Sequence, residues 1–219
     1  TLFRGNGDDL PLMEWLTTRV WPYERGISKD EIYWGAKLAI AEMIRSGTVF
    51  FNDMYWDFHV VAKAVEEMGV RATLASALID FQDDAALRQK QFDRIERDYK
   101  QAQEYSERVE FALGPHATYT VAEESFRWAA DFCKRNEVIL HTHLSETEKE
   151  VADCIEQHGC TQVEYLLRIG ALDTRFVGAH TVWLSDTDIA LLGEHGAVCV
   201  HNPVSNMKLA SGSPERQAF

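Results

Sequence analysis

At 219 residues, 46% of them hydrophobic and 26% charged, the chain has the make-up of an ordinary globular protein with room for a substantial core. A net charge of -13 excludes a phosphate-binding surface of clustered Lys and Arg, and so argues against nucleic acid as a partner. No apolar run approaches the roughly 20 residues of a membrane span, the N-terminus has no signal-peptide pattern, and Cys133, Cys154, Cys160 and Cys199 form no CxxC pair, which together predict a cytoplasmic protein with reduced thiols.

Taken in order, the chain opens on Thr1–Gly5 and Asp8–Leu16 with no strand before them, as though in the middle of a larger unit. Ser28–Glu31 is a capping box, and Ile32, Ala36, Ala39, Ile40, Met43 and Ile44 make a helical stripe ending at Gly47. Thr48–Phe51 reads as a buried strand with Asp53 at its far end. A helix bearing Val60, Val61, Ala64, Val65 and Met68 stops at Gly69, and Val70–Ile79 is the next strand, ending at Asp80. A polar helix over about 84–106 is anchored by Leu87, Ile95 and Tyr99. Strand 109–113 leads into Gly114-Pro-His116, and Thr120–Glu123 is expected to cap the helix of Phe126, Ala129, Ala130 and Cys133.

Next comes Val138-Ile-Leu-His-Thr-His-Leu-Ser-Glu-Thr147, a short apolar strand that runs into ionisable side chains, with Ser145–Glu148 expected to cap the following helix. Helical pieces at 147–158 and 162–169 follow, the second capped by Thr161–Glu164. Strand 175–180, a short helix over 185–193 and strand 197–201 come next, and the tail from Ser211 shows no clear pattern.

Helix and strand alternate throughout, the pattern of a parallel sheet with crossover helices, and six strands can be counted. A doubly wound sheet and a (β/α) barrel both fit. The polar groups favour the barrel, because Asp53, Asp80, His116, His143, His180 and His201 each fall at the C-terminal end of a different strand, and those ends share one mouth only in a barrel.

His143 has the strongest claim to chemistry. An isolated strand-end His is ordinarily just hydrogen-bonded to a neighbour, but Glu146 lies three residues on and His180 ends the next strand. Neutral imidazole is a zinc ligand, and strand ends hold ligands rigidly. His141, on the same strand face, could chelate a metal together with His143, but one residue pair deeper in the barrel a satisfied core histidine is the commoner outcome. Glu146 suits a general acid/base, against the plain reading of a carboxylate at a helix N-terminus. His180 suits orientation of a nucleophile, His116 contact with a ligand, and Glu24 a loop carboxylate at the mouth. His59, His158 and His195 read as surface or capping residues. Turn chemistry explains His201–Asn206 without function, while its place at the mouth leaves ligand contact open.

These residues resemble the amidohydrolase superfamily, in its branch of 5-methylthioadenosine/S-adenosylhomocysteine deaminases and related aminohydrolases and chlorohydrolases. The resemblance is carried by Thr1–Gly5 with Asp9–Leu16, Gly114-Pro-His116 with Tyr119-Thr120, His143-Leu-Ser-Glu-Thr147, Gly178-Ala-His180 and His201–Leu209, in that order, over about residues 1–212. It implies a (β/α)8 TIM barrel that is incomplete, strands two to seven being present, with residues 1–219 forming a partial catalytic domain. It also implies one zinc or other divalent metal per complete site, with His143 as the strand-five ligand, Glu146 relaying a proton to a purine nitrogen and His180 positioning hydroxide and leaving group. Glu24 would meet the ribose hydroxyls, His116 the substrate, and Arg88 would be a further substrate contact.

The implied reaction is hydrolytic deamination of an adenosine-type substrate with release of ammonia, zinc lowering the pKa of its water toward about 7. The chain departs from the pattern in lacking the His-x-His pair of strand one and the Asp of strand eight. One family ligand of four remains, where catalytic zinc keeps three, so a fragment inactive alone is expected. The alternatives are a triazine, guanine or cytosine hydrolase of the same superfamily, or a non-catalytic partial barrel whose open strand edges favour homo-oligomers or ligand binding.

Overall fold

The alternation of helix and strand read from the sequence is what the chain forms. The computed structural model describes residues 2–5, 10–80 and 84–212; Thr1, Asp8 and Asp9 of the opening motif and the tail past Gly212 lie outside them. Six strands, β1 (Phe50–Tyr55), β2 (Arg71–Leu78), β3 (Val109–Pro115), β4 (Ile139–Leu144), β5 (Arg175–His180) and β6 (Val198–Val200), follow chain order in one sheet. The helices are α1 (Leu12–Trp15), α2 (Trp21–Glu24), α3 (Lys29–Arg45), α4 (Phe58–Met68), α5 (Ala85–Ala102), α6 (Glu123–Asn136), α7 (Glu148–His158), α8 (Gln162–Arg168), α9 (Asp186–Glu194) and α10 (Pro203–Lys208), with a π-helical turn at Leu16–Val20. Among the described residues no helix is long and apolar enough to cross a membrane.

The chain divides into two units, the first comprising Thr1–Ala77 and Lys90–Ala112. Here β1 pairs with β2 in parallel register, Phe50 opposite Arg71 and Tyr55 opposite Ser76. Ile40, Val61, Val65, Leu74, Ile95 and Phe111 are buried together with Phe58, whose ring stands 5.2 Å from that of Phe111. Each such side chain contributes roughly 1.5–3 kcal/mol on burial. The Ser28 capping box forms as expected, with Glu31 N–H donating to the Ser28 hydroxyl and Ser28 N–H to the Glu31 carboxylate.

Three expectations are corrected in this unit. Asp53 lies within β1 rather than at its end, opposite Leu74, because the strand starts later and runs to Tyr55. Ile44 is 48% exposed, so the α3 stripe ends a turn early. His59 is half-buried and paired rather than free at the surface: its Nδ1 is 3.2 Å from the Tyr105 hydroxyl and its Nε2 3.4 Å from Asp98.

The second unit comprises Leu78–Gln89 and Leu113–Phe219. Parallel ladders join β4 to β5, with His143 opposite Ala179 and Leu144 opposite His180, and β5 to β6, with Gly178 opposite Cys199. Phe126, Leu140, Leu144, Leu166, Leu172 and Phe176 form the core. Gly178 is needed on β5, since a Cβ there would lie 3.0 Å from Leu144 Cδ2 and 3.3 Å from Phe176 Cε1. Capping boxes at Thr161 and Ser185 open α8 and α9. All four cysteines are free thiols.

Here too sequence and structure differ. Leu87 is exposed, because the buried face of α5 runs through Arg88, Phe92 and Ile95 at helical spacing instead. The helix after Thr120 has no side-chain cap; Thr120 serves His116 and the Ala117 carbonyl. Thr147, not Ser145, caps α7, accepting from Glu150 N–H. Ser145 is in the left-handed region (φ 49°), where Gln162 holds both its N–H and its hydroxyl.

Candidate active site

The C-terminal ends of three strands in the second unit place three histidines side by side. His116 follows the last residue of β3, His143 is the fifth residue of β4 and His180 the last of β5. The rings of His116 and His143 are 4.6 Å apart at their centroids, and those of His143 and His180 5.6 Å. Parallel strands running in one direction put these side chains, distant in sequence, at one end of the ladder. Of the six strand-end groups expected to share one mouth, three are thus side by side.

One backbone atom does much of the aiming. The His116 carbonyl accepts from His143 N–H at 3.0 Å, the ladder bond, and lies 2.7 Å from His143 Nδ1. A carbonyl only accepts, so Nδ1 carries the hydrogen and Nε2 keeps its lone pair. Burial pulls His143 down to about 4, with the neighbouring His180 adding to it and the His116 bond opposing, so the ring is neutral at pH 7. His116, its Nδ1 2.9 Å from the Thr120 hydroxyl, is pulled down to about 3 by burial and then by His143.

Glu146 is 4% exposed, in the link between β4 and α7. Its Oε1 accepts from the Ser211 hydroxyl at 3.2 Å and stands 3.4 Å from His180 Nδ1. Burial raises its pKa, and His180 and Ser211 work against that rise. Behind it Glu150 accepts from Glu146 N–H at 3.3 Å and from the Thr147 hydroxyl at 3.1 Å; burial, then the Glu146 charge, pushes it up to about 7. Fully buried Gln162 bridges Ser145 to the Thr118 hydroxyl. A buried carboxyl with a raised pKa, 3.4 Å from an imidazole nitrogen, is equipped to move a proton.

The other candidates fall elsewhere. Arg88 is buried, donating to Asp80 at 2.7 Å and to Glu124 at 2.8 Å, while Asp80 also accepts from Ser125 and from Ala122 N–H. In the first unit, Glu24 ends α2 and accepts from the Tyr55 hydroxyl at 2.9 Å. His201 is exposed between β6 and α10. His141 is 8% exposed and pulled down to about 4 by burial, but its Nδ1 finds no hydrogen-bond partner among the described residues, unlike the satisfied core histidine expected.

The sequence assigns no particular role to Asn206 or Ser211. Asn206 belongs to the Asn-Pro turn run, and Ser211 opens what reads as an unstructured tail; both are buried here. His180 Nδ1 is 2.7 Å from Asn206 Oδ1.

The free Nε2 of His143 fits one ligand position, its other nitrogen being anchored as second-shell partners anchor metal-binding imidazoles. Among the described residues no three His, Cys, Asp or Glu side chains come together to hold an ion, so the residues described do not by themselves form a metal site.

Comparison with known proteins agrees with this geometry. The sequence profile described as "Amidohydrolase family" matches residues 1–217. A 5'-deoxyadenosine deaminase of Methanothermobacter thermautotrophicus is 46% identical over 216 residues, 97% of this chain and 50% of that protein. A 5-methylthioadenosine/S-adenosylhomocysteine deaminase of Archaeoglobus fulgidus is 43% identical over 216 residues, 99% of this chain and 50% of that protein. An adenosine deaminase structure from Xanthomonas campestris with bound zinc superposes with a TM-score of 0.90 at 36% identity, covering 97% of this chain and 48% of that one. The chain spans about half the length of the curated relatives it matches.

Proposed function

The chain belongs to the amidohydrolase family, with its strands in the order of the (β/α) barrel expected from the sequence, and from that premise we propose that it is part of a metal-dependent deaminase of adenosine-type nucleosides. The observation that carries this reading is the gathering of His116, His143, His180 and Glu146 at the strand ends of the second unit. Relatives named for 5'-deoxyadenosine, 5-methylthioadenosine and S-adenosylhomocysteine support that substrate class. Residues 1–219 would be a portion of the catalytic barrel domain.

In this reading Glu146 takes a proton from the attacking water and delivers it to the ring nitrogen next to the carbon losing its amine. Its raised pKa supports both halves of that transfer. His180, hydrogen-bonded through Nδ1, offers Nε2 as an acceptor that orients water or the departing amine. His116 contacts the base and Glu24 the ribose hydroxyls. A zinc or other divalent ion, with His143 Nε2 as one ligand, supplies acidification of water when bound. Arg88 remains a candidate substrate contact, although its pairing with Asp80 and Glu124 supports a structural share. The ligand is a small nucleoside rather than nucleic acid, in keeping with the net charge of -13, and the free thiols support a cytoplasmic setting.

The test is ammonia release by the protein carrying this chain, with and without added zinc, from 5'-deoxyadenosine, 5-methylthioadenosine, S-adenosylhomocysteine and adenosine against guanine, cytosine and a chlorotriazine. Preference for the nucleosides, lost by roughly 10²–10⁴-fold in Glu146→Gln, supports the proposal; release from guanine, cytosine or the triazine alone overturns the substrate class. In Glu24→Ala the KM for nucleosides should rise far more than for free adenine.

A second reading, a binding domain without catalysis, draws on the exposed Val198, Val204 and Met207 around β6 and α10. A stable metal-free homo-oligomer that releases no ammonia would favour it.

A further inference from the structure

We propose that α10 and the turn that follows it are the positioning element of the site, Asn206 on the helix fixing which nitrogen of His180 carries hydrogen and Ser211 in the turn fixing the rotamer of Glu146. This rests on the reading of Glu146 and His180 as the proton-handling pair.

Two oxygens face His180 Nδ1: Asn206 Oδ1 at 2.7 Å and Glu146 Oε1 at 3.4 Å. The amide oxygen of Asn206 can only accept, so at 2.7 Å Nδ1 bears the hydrogen, and in the neutral ring Nε2 is left with a lone pair. Asn206 is 1% exposed, and its Nδ2 has no hydrogen-bond partner among the described residues. A buried amide with half its capacity unmet is costly where packing alone is at stake. The bond its oxygen makes to His180 gives it a purpose that a leucine of similar size would not serve.

Ser211 is held on three sides. Its N–H donates to the Asn206 carbonyl at 2.9 Å, its carbonyl accepts from Trp183 Nε1 at 2.6 Å, and its hydroxyl donates to Glu146 Oε1 at 3.2 Å. The turn itself is tight. Ala210 has φ 51° and Gly212 φ 106°, and a Cβ on Gly212 would stand 3.1 Å from the Trp183 indole. Glu146 makes no protein hydrogen bond through Oε2 among the described residues, so one carboxylate oxygen is pinned and the other is left to the reaction. The same short segment thus addresses both members of the pair, one through each residue.

The experiment is nitrogen NMR of the chain labelled with ¹⁵N-histidine, under conditions where His180 is neutral, with His180→Gln to assign its signal. The wild type should show the Nδ1–H tautomer, Asn206→Leu a shift toward Nε2–H, and Asn206→Asp, which keeps an accepting oxygen, the wild-type form. An Nε2–H wild type, or an Asn206→Leu variant unchanged from it, overturns the proposal. Kinetics read the second hold: Ser211→Ala should lower kcat roughly 10- to 100-fold with little change in KM, and Ser211→Thr should restore most of it. An effect on KM alone would overturn the role of Ser211. If the complete protein carrying this chain releases no ammonia, the proposed function fails, and the tautomer measurement alone then decides the positioning role.

Discussion

Glu150→Gln should make the protein more stable at alkaline pH and remove part of its pH dependence. The Glu150 carboxyl is 9% exposed and rises from 4.5 to about 7 on folding, through burial first and the adjacent Glu146 charge second. A folded-state pKa above the unfolded value means that the native chain binds the proton more tightly. The associated stability is therefore complete below about pH 4.5 and is lost as pH climbs through about 7. A difference of this size corresponds to roughly 3 kcal/mol at about 1.4 kcal/mol per pH unit. Glutamine keeps an oxygen to accept from Glu146 N–H and the Thr147 hydroxyl but has no proton to lose. Urea unfolding of both proteins from pH 4 to pH 8 reads the effect of Glu150 together with its coupling to Glu146, the other titrating groups being common to the pair. The stability of Glu150→Gln relative to wild type should climb across that interval by an amount of this order. Parallel curves would show that Glu150 ionises as freely in the fold as out of it, and the reasoning from its burial would be wrong.

Other substitutions probe separate parts of the second unit. Gly178→Ala should cost about 1–3 kcal/mol in the urea midpoint, because its Cβ meets Leu144 and Phe176 in a packed layer; an unchanged midpoint would mean that layer yields freely. Asp80→Asn leaves the buried Arg88 without its closest counter-charge, and a loss of about 3–5 kcal/mol in chemical denaturation is expected. Thr161→Ala removes the α8 cap and the hydroxyl bond to Asp188, and should lower stability by about 1–2 kcal/mol. The same change at Thr120, which caps no helix, should leave helix content by circular dichroism untouched.

The site was legible where spacing alone decides it. His143 and His180 each close an apolar strand run, and parallel strands leave little freedom over where such residues end up. Asp53 was misplaced because apolar Phe50 and Phe51 suggested a strand ending sooner, whereas the backbone ladder continues through Asn52 and Asp53 whatever their side chains. The two cap expectations failed for a shared reason: Thr120 and Ser145 sit beside the site, where tertiary partners outcompeted the local bond. Ser211 carries no periodic or motif signal of its own, and Asn206 lies in a matching motif that says nothing of its partner. Their place depends on a fold-back of the chain onto His180 and Glu146, a long-range contact that pattern reading does not reach.

The His116 carbonyl joins two kinds of accuracy. It receives the main-chain bond that docks β4 and, through a neighbouring lone pair, the imidazole of His143. A one-residue slip of that strand would turn the ring to the opposite face while forfeiting the docking bond. Assembly of the backbone and aiming of the reactive ring are thus proofread by a single oxygen atom, so a molecule that has paired its strands correctly has already oriented its key histidine.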